Sequence, residues 1–321
     1  MFREFPHNLI CIRDLNDEQV LGLFRRAEQL RAVFSKRTMT EEDGTSFKFL
    51  HRKVVLNCFF EPSTRTRVSF EMAAKKLGAN VINVDADFTS IRKGETIFDT
   101  LTNLEAMEPD LVVIRHRESG MPERAARILK TPIINGGDGT HEHPTQALLD
   151  TYTLWRRFGT EGLRGLKLTI VGDISHSRVA CSDIQLFKRF GIDLILCAPP
   201  LFLSSKFGRV FKVPVEYDFE RAIRMADVVL FLRIQKERHK ESSRFYPYLQ
   251  YQLNRRTYER AEKKPLIMHP GPINWGVEME GNFINHENSL VLEQVHNGLY
   301  VRMALLEVML QSEERARRFA L

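Results

Sequence analysis

The run Lys53-Val-Val-Leu-Asn-Cys-Phe-Phe60 passes directly into Glu61-Pro62-Ser63-Thr64-Arg65-Thr66-Arg67-Val68-Ser69-Phe70-Glu71. The first part is apolar and rich in β-formers, so it predicts a buried strand. The second part predicts a turn and then a helix, with Val68, Met72 and Leu77 spaced to share one face. Strand, turn and helix in this order aim backbone N–H groups at an anion. Arg65 and Arg67 fall in the first helical turn, where the macrodipole is already positive and cations are disfavoured. An anion bound there removes the conflict, and Ser63, Thr64, Arg65 and Thr66 are its natural ligands. An ordinary N-cap with surface arginines accounts for Ser63 but not for two arginines in one first turn.

The same rhythm continues outward. Strand-like runs fall at 53–60, 80–84, 110–115, 132–134, 167–172, 192–197, 227–232 and 265–268. Helical patterns lie between them at 65–77, 96–107, 121–129, 144–157, 177–190, 219–225 and 254–262, and helices at 16–36 and 292–311 frame the chain. This βαβ alternation predicts an α/β protein with parallel sheets covered by helices on both faces. At 321 residues the chain is long for one domain and comfortable for two. The alternation breaks near 156–166, where three glycines and four charges suit a hinge or domain junction. The expectation is two doubly wound domains with a site in the cleft between them. Residues 1–153 with 292–321 form one domain and 154–291 the other, the last helix returning to the first domain. The strand ending at Gly172 is similar to the opening of a dinucleotide fold, but G-x-G-x-x-G is absent.

Composition narrows the classes. Hydrophobic residues make up 43% and charged residues 27%, a globular balance. No apolar stretch approaches the ~20 residues of a membrane span, and Met-Phe-Arg-Glu-Phe-Pro-His-Asn has no apolar signal core. The four cysteines are scattered without a C-x-x-C pair, so reduced core cysteines are expected and a cytoplasmic location with them. The net charge of +6 is dispersed among 41 acids. No basic tail or aromatic–basic interleaving appears, so neither nucleic acid nor membrane is an expected partner, while small anions are.

Further polar clusters follow the predicted strands, where open α/β sheets place ligands. Thr89-Ser90-Ile-Arg-Lys93-Gly-Glu-Thr96 precedes a helix and, alone, reads as a surface loop with a cap. In Val112-Val-Ile-Arg115-His116-Arg117 an arginine emerges from a buried-type strand and needs an anionic partner, either a ligand or a neighbouring carboxylate. In Asn135-Gly-Gly-Asp-Gly-Thr-His141-Glu-His143-Pro144-Thr-Gln146 three glycines predict a tight turn, and Pro144 suits a first helical position. His143 then stands at a helix start as a neutral donor to a carbonyl oxygen. A metal at His141-x-His143 lacks further ligands, so none is expected. Gly172-Asp-Ile-Ser-His-Ser-Arg178, Leu232-Arg233-Ile-Gln235-Lys-Glu-Arg238 and His269-Pro270-Gly271-Pro272 complete the set. They put Arg178 and Arg233 on the side expected to face the first domain's anion loops. There is no G-x-S-x-G elbow and no P-loop.

Ser63-Thr-Arg-Thr-Arg67, His143-Pro-Thr-Gln146 and the paired α/β domains resemble the aspartate/ornithine carbamoyltransferase family through nearly the whole chain. Lys93-Gly-Glu-Thr96, Arg233-Ile-Gln235 and His269-Pro-Gly-Pro272 look like its aspartate branch. The Cys-Leu-Pro and Ser-Met-Gly segments typical of the ornithine branch do not occur. The resemblance implies transfer of a carbamoyl group from carbamoyl phosphate to the α-amino group of L-aspartate, a step of pyrimidine synthesis, with no cofactor. It implies that Ser63, Thr64, Arg65 and Thr66 hold the phosphate. Arg115, His143 and Thr66 polarise the carbonyl oxygen. Gln146 and the backbone at Pro270 and Gly271 orient the amide. Arg178 and Arg233, with Gln235, grip aspartate. Ser90 and Lys93 come from a neighbouring subunit of a homotrimer, with association with regulatory chains left open, and Lys93 also reaches aspartate. Glu61 and Arg238 pair when the domains close, and Arg67 is structural support beside the site. Trp275 stands where many relatives carry arginine. The competing expectations are carbamoylation of ornithine or another amino acid, and a non-catalytic scaffold.

Overall fold

The computed structural model describes residues 5–35, 49–85, 95–235 and 248–319, with side chains as far as Gln311. Ser90, Lys93 and Arg238 lie outside the described residues. Backbone contacts divide the chain into two units, Met1–Leu148 with Gly298–Leu321, and Leu149–Asn297.

Unit 1 is built on a four-stranded parallel sheet in the order β2-β1-β3-β4. The strands are β1 (Val54–Phe59), β2 (Asn80–Asp85), β3 (Leu111–His116) and β4 (Ile133–Asp138). Its helices are α1 (Asp17–Phe34), α2 (Thr64–Lys76), α3 (Ile97–Glu105) and α4 (Met121–Ala126). Right-handed crossovers put α2 on one face and α3 and α4 on the other. Leu56, Cys58, Val112 and Ile114 accordingly cluster with Leu101 of α3 and Ala125 of α4. The buried stripe of α2 is Thr66, Phe70, Ala73 and Ala74. This corrects the expected stripe: Val68 and Met72 are exposed, and of that set only Leu77, the C-cap, is buried.

Unit 2 carries a five-stranded parallel sheet in the order β7-β6-β5-β8-β9. These strands are β5 (Lys167–Val171), β6 (Asp193–Cys197), β7 (Val215–Glu216), β8 (Val228–Phe231) and β9 (Leu266–Met268). The remaining helices are α5 (Pro144–Gly162), α6 (Arg178–Arg189), α7 (Ser205–Phe211), α8 (Phe219–Arg224), α9 (Arg255–Arg260) and α10 (Val291–Phe319); α6 to α9 lie wholly in unit 2, whereas α5 begins in unit 1 and most of α10 belongs to unit 1. The two-residue β7 and the seven-residue α7 carry too little pattern for the sequence to announce them. The 156–166 stretch is helical as far as Gly162, with only Gly159 leaving helical geometry (φ 70°, ψ 175°).

The last helix is tied within unit 1 by charge. Arg26 of α1 donates from Nε and Nη2 to the two carboxylate oxygens of the buried Glu307, at 2.7 and 2.6 Å. A bidentate pair of this kind fixes geometry as well as charge, and removing one partner costs about 3–5 kcal/mol. All four cysteines are free; Cys11, Cys58 and Cys197 are buried. Burial pushes the Cys58 thiol up to about 12, which leaves it inert. Among the described residues no helix is long and apolar enough to cross a membrane.

One glycine is indispensable to unit 2. Gly172, directly after β5, has φ +138°, and a Cβ there would stand 2.5 Å from the Leu232 carbonyl oxygen. The exits of β5 and β8 approach this closely because Leu232 N–H donates to Val171 O at 2.7 Å. Gly172→Ala is expected to lower unfolding stability by about 2–3 kcal/mol, read by urea denaturation. A wild-type midpoint would mean that the two exits can separate freely.

Candidate functional site

Those of the polar residues singled out in the sequence that are described lie at or after the carboxyl ends of the parallel strands in each unit. In unit 1, β1 exits through Glu61 and Pro62 to Ser63, the N-cap of α2. The Ser63 side chain makes no cap hydrogen bond, and the first turn of α2 contains no acid. Its dipole is therefore unopposed from within the helix. Thr64 and Arg65 are exposed and Thr66 is buried. Arg67 is accounted for differently. Its Nη1 lies 2.7 and 2.5 Å from the two oxygens of Asp85 at the end of β2. The dipole conflict predicted for two arginines is thus resolved internally for Arg67, as a support beside the turn.

Arg115 is the penultimate residue of β3, beside Phe59 of β1 in register. Its Nη1 donates to the Gly136 carbonyl at 3.1 Å and its Nε lies 3.7 Å from Glu61. Both partners belong to neighbouring strand ends, so the guanidinium is clamped at the same edge as Ser63. Glu61 thus faces Arg115 here, and its expected partner Arg238 is among the residues not described.

The β4–α5 connection differs from the tight turn read into its glycines. β4 continues through Gly136 and Gly137 to Asp138. The register against β3 shifts between Ile114 and His116. A Cβ at Gly136 would meet Val113 Cγ1 at 3.3 Å, so small residues let the strand stay close as it shifts. The turn comes afterwards, organised by Asp138, which is fully buried. Its Oδ1 accepts from Asn135 Nδ2 at 2.8 Å and Glu142 N at 3.1 Å. Its Oδ2 accepts from Gly120 N at 2.6 Å and lies 3.1 Å from His141 Nδ1. Burial pushes this carboxyl up, but the bonds from His141, Asn135 and Gly120 outweigh it and hold it below its ordinary value. The same carboxylate, bonded to His141, raises that imidazole to about 10. His141 is thereby a structural cation of the loop. The loop delivers the buried His143 to the start of α5, where its carbonyl accepts from Gln146 N at 2.9 Å. Gln146 is buried one turn on.

In unit 2 the exits of β5, β8 and β9 are tied by two more buried carboxylates. Asp173 accepts at 2.7 Å from His176 Nδ1, and the His176 carbonyl accepts from Gln235 Nε2 at 2.8 Å. The turn before α6 is so joined to the segment after β8 that carries Arg233 and Gln235. Ser177 caps α6 by accepting from Ala180 N at 3.2 Å, and the buried Arg178 is its first residue. A buried cation in a first turn that lacks an acid opposes both desolvation and dipole, the arrangement an anion relieves. Glu278, also fully buried, accepts from Ile234 N at 2.7 Å, Asn274 N at 2.6 Å and Asn274 Nδ2 at 2.7 Å. Burial nevertheless pushes its carboxyl up. It joins the Arg233–Gln235 segment to the loop that follows His269. His269 Nδ1 accepts from Gly271 N at 2.7 Å, so a neutral imidazole carries its proton on Nε2.

Asp138, Asp173 and Glu278 were not singled out from the sequence. Asp138 had a usable signal, an acid inside a glycine-rich segment at a strand end. Glu278 had none, because its partner at Ile234 is 44 residues away. Among the described residues no group of three or more His, Cys, Asp or Glu is placed to hold a metal.

Comparison with known proteins follows the same division. Residues 7–156 match the carbamoyl-P binding domain of aspartate/ornithine carbamoyltransferases, and 164–309 match the Asp/Orn binding domain. The aspartate carbamoyltransferase catalytic subunit of Solibacter usitatus is 43% identical over 307 residues, covering 94% of this chain and 98% of that protein. Among solved structures, the catalytic subunit of M. jannaschii aspartate transcarbamoylase superposes with a TM-score of 0.81 at 29% identity, covering 96% of this chain and 99% of that one. The ornithine carbamoyltransferase of Pyrococcus furiosus also gives 0.81, at 26% identity, covering 93% and 95%.

The loop before α5 makes a pH prediction. His141 has its folded-state value raised, so its contribution to stability is complete below about pH 6.5, the ordinary imidazole value. That contribution fades as pH rises through about 10. NMR titration of the histidines should find one imidazole still protonated at pH 8.5, and Asp138→Asn should return it to the ordinary range. A His141 resonance titrating near neutrality in the wild type would contradict the ion pair.

Proposed function

The chain belongs to the aspartate/ornithine carbamoyltransferase family, and we propose that it carbamoylates the α-amino group of L-aspartate with carbamoyl phosphate, releasing N-carbamoyl-L-aspartate and phosphate. The observation that carries the donor half is the start of α2. The Ser63 side chain makes no cap hydrogen bond, the first turn of α2 contains no acid, and Thr64, Arg65 and Thr66 follow directly. That is a site for the donor's phosphate. Arg115, His143 and Thr66 polarise the carbamoyl oxygen, and Gln146 with the backbone at Pro270 and Gly271 takes the amide.

Acceptor choice rests on side chains, because the TM-scores to an aspartate and to an ornithine enzyme are equal. Arg178 and Arg233 follow adjacent strands of unit 2, with Gln235 tied between them through His176. Two guanidinium groups suit two carboxylates. Ornithine offers one carboxylate and a cationic side chain, which such a pair repels. The 43% identity to an aspartate enzyme favours the same acceptor.

Chemistry then needs little beyond placement. The amine attacks the carbamoyl carbon, negative charge grows on the carbonyl oxygen, and phosphate leaves. Donors fixed at those two positions lower the barrier, and holding both reactants removes most of the entropic cost of encounter. The leaving phosphate can accept the amine proton, so no protein base is required.

A homotrimer with shared sites is part of the proposal. β2 is an edge strand whose Ile82 is 52% exposed. Val68 and Met72 of α2, which is bonded to β2 through Glu71 and Asn83, are 44% and 46% exposed. This apolar flank suits a second copy, and Ser90 and Lys93, which follow β2 in sequence, would complete the neighbour's site.

Aspartate is expected to be carbamoylated and ornithine not; turnover with ornithine alone would overturn the acceptor assignment. Arg65→Ala should lower kcat/KM by about 100-fold or more, the scale for losing one charged transition-state donor. Lys93→Ala should also be inactive alone. A subunit-exchanged mixture of the two should regain activity, because some sites then combine an intact Arg65 with an intact Lys93. A fully exchanged but inactive mixture would contradict shared sites.

A further inference from the structure

Unit 2 contains a cavity of about 590 Å³ at the ends of its strands opposite Gly172 and Asp173. Its floor is formed by the first three residues of β5 and β6, side by side in the register Lys167–Asp193, Leu168–Leu194 and Thr169–Ile195. Ala222 and Met225, at the end of α8 and just beyond it, form a wall.

The cavity exists because an interior strand is left partly bare. β6 lies between β7 and β5, and such a strand in a parallel sheet is normally covered on both faces. Here Asp193 is exposed and Ile195 only half-buried. The covering helix α8 has six residues. The Thr169 hydroxyl of β5 donates to its Ala222 carbonyl at 2.8 Å, and so short a helix leaves Asp193 and Ile195 partly uncovered.

The rim is cationic. Lys167, Lys188, Lys212 and Arg221 line it against Asp193 and Glu216. Glu216 is already engaged by Arg221 at 3.2 Å and by the N–H groups of Tyr217 and Asp218 at 2.9 and 3.0 Å. Lys188 donates to the Phe211 carbonyl at 2.6 Å. Asp227, whose carboxylate accepts from the Lys167 backbone N–H at 3.0 Å, is paired with Lys263 at 2.7 Å, so the Lys167 and Lys212 ammonium groups are in excess over the acids of the rim. An apolar floor under surplus ammonium groups, in a volume typical of ligand sites, has a defined complement.

We propose that this cavity binds a small organic anion with a compact apolar body, a carboxylate or phosphate monoester of an aromatic or branched group. The body covers Ile195 and Val213, and the anionic head meets Lys167 and Lys212. The site is distinct from the strand ends given substrate roles above. Its occupant would act by closing the bare face of β6, with a stabilisation of unit 2 that grows with the logarithm of its concentration above Kd.

The test uses 1-naphthyl phosphate in isothermal titration of the full chain carrying Arg65→Ala, which disables the phosphate site proposed at α2. One saturable site per chain is expected. Lys212→Glu and Met225→Trp should each weaken it by about tenfold or more, or about 1.4 kcal/mol. Both positions are exposed, so neither change should disturb folding. 1-Naphthol and inorganic phosphate should each bind at least about tenfold more weakly than the combined probe. Absence of saturable binding, binding that neither variant alters, or equal affinity for 1-naphthol would overturn the proposal.

Discussion

A loop leaving the carboxyl end of a parallel strand has backbone N–H groups that no further ladder will satisfy. Left buried and unpaired, each costs about 1–3 kcal/mol. This chain meets that demand with carboxylates that are themselves fully buried. Asp138 accepts from the N–H groups of Gly120 and Glu142, and Glu278 from those of Ile234 and Asn274; Asp138 also holds the Asn135 and His141 side chains, and Asp173 that of His176. Each acid sits one to a few residues from a side chain that the reaction would use, or is bonded to its neighbour. A charge buried this way is tolerable only if most of its acceptor sites are filled, so the acids and the loops specify one another. Rigidity at the strand ends follows from that mutual requirement.

The cations follow a second rule. Arginines in the first turns of α2 and α6 stand against the helix dipoles. Where a carboxylate answers, as Asp85 answers Arg67, the residue becomes part of the scaffold. Arg65, exposed in the same turn, and Arg178, buried in the first turn of α6, are the ones to which the proposed function gives an anionic substrate. The proposed mechanism therefore asks for no unusual group. It needs two anions held by preorganised positive ends, with Arg115 and His143 fixed by neighbouring strand ends.

Most of the architecture was legible because parallel strands and amphipathic helices write strong periodicities. β1, β3, β5 and α6 fall within a residue or so of their expected limits. What failed was short or two-sided. β7 and α7 are too brief to carry a period. Val68 and Met72 have helical spacing but lie on the exposed side of α2, away from the core. Gly136 and Gly137 read as a turn and are strand: crowding against β3 requires the small size of Gly136, and Gly137 has φ +113°. The polar motifs were visible as clusters, whereas the carboxylates that fix them were not, because Glu278 meets Ile234 only through tertiary folding. The sequence resemblance assigned roles to Ser90, Lys93 and Arg238 that the described residues do not reach.

The central claim is that buried carboxylates preorganise the strand-end loops for the donor. Calorimetric titration of carbamoyl phosphate into Asp138→Asn tests it most directly. Asparagine keeps the shape but turns an acceptor into a donor facing N–H groups. The predicted result is affinity weakened by about tenfold or more in a chain whose far-UV circular dichroism is native. Wild-type affinity in a folded Asp138→Asn chain would contradict it.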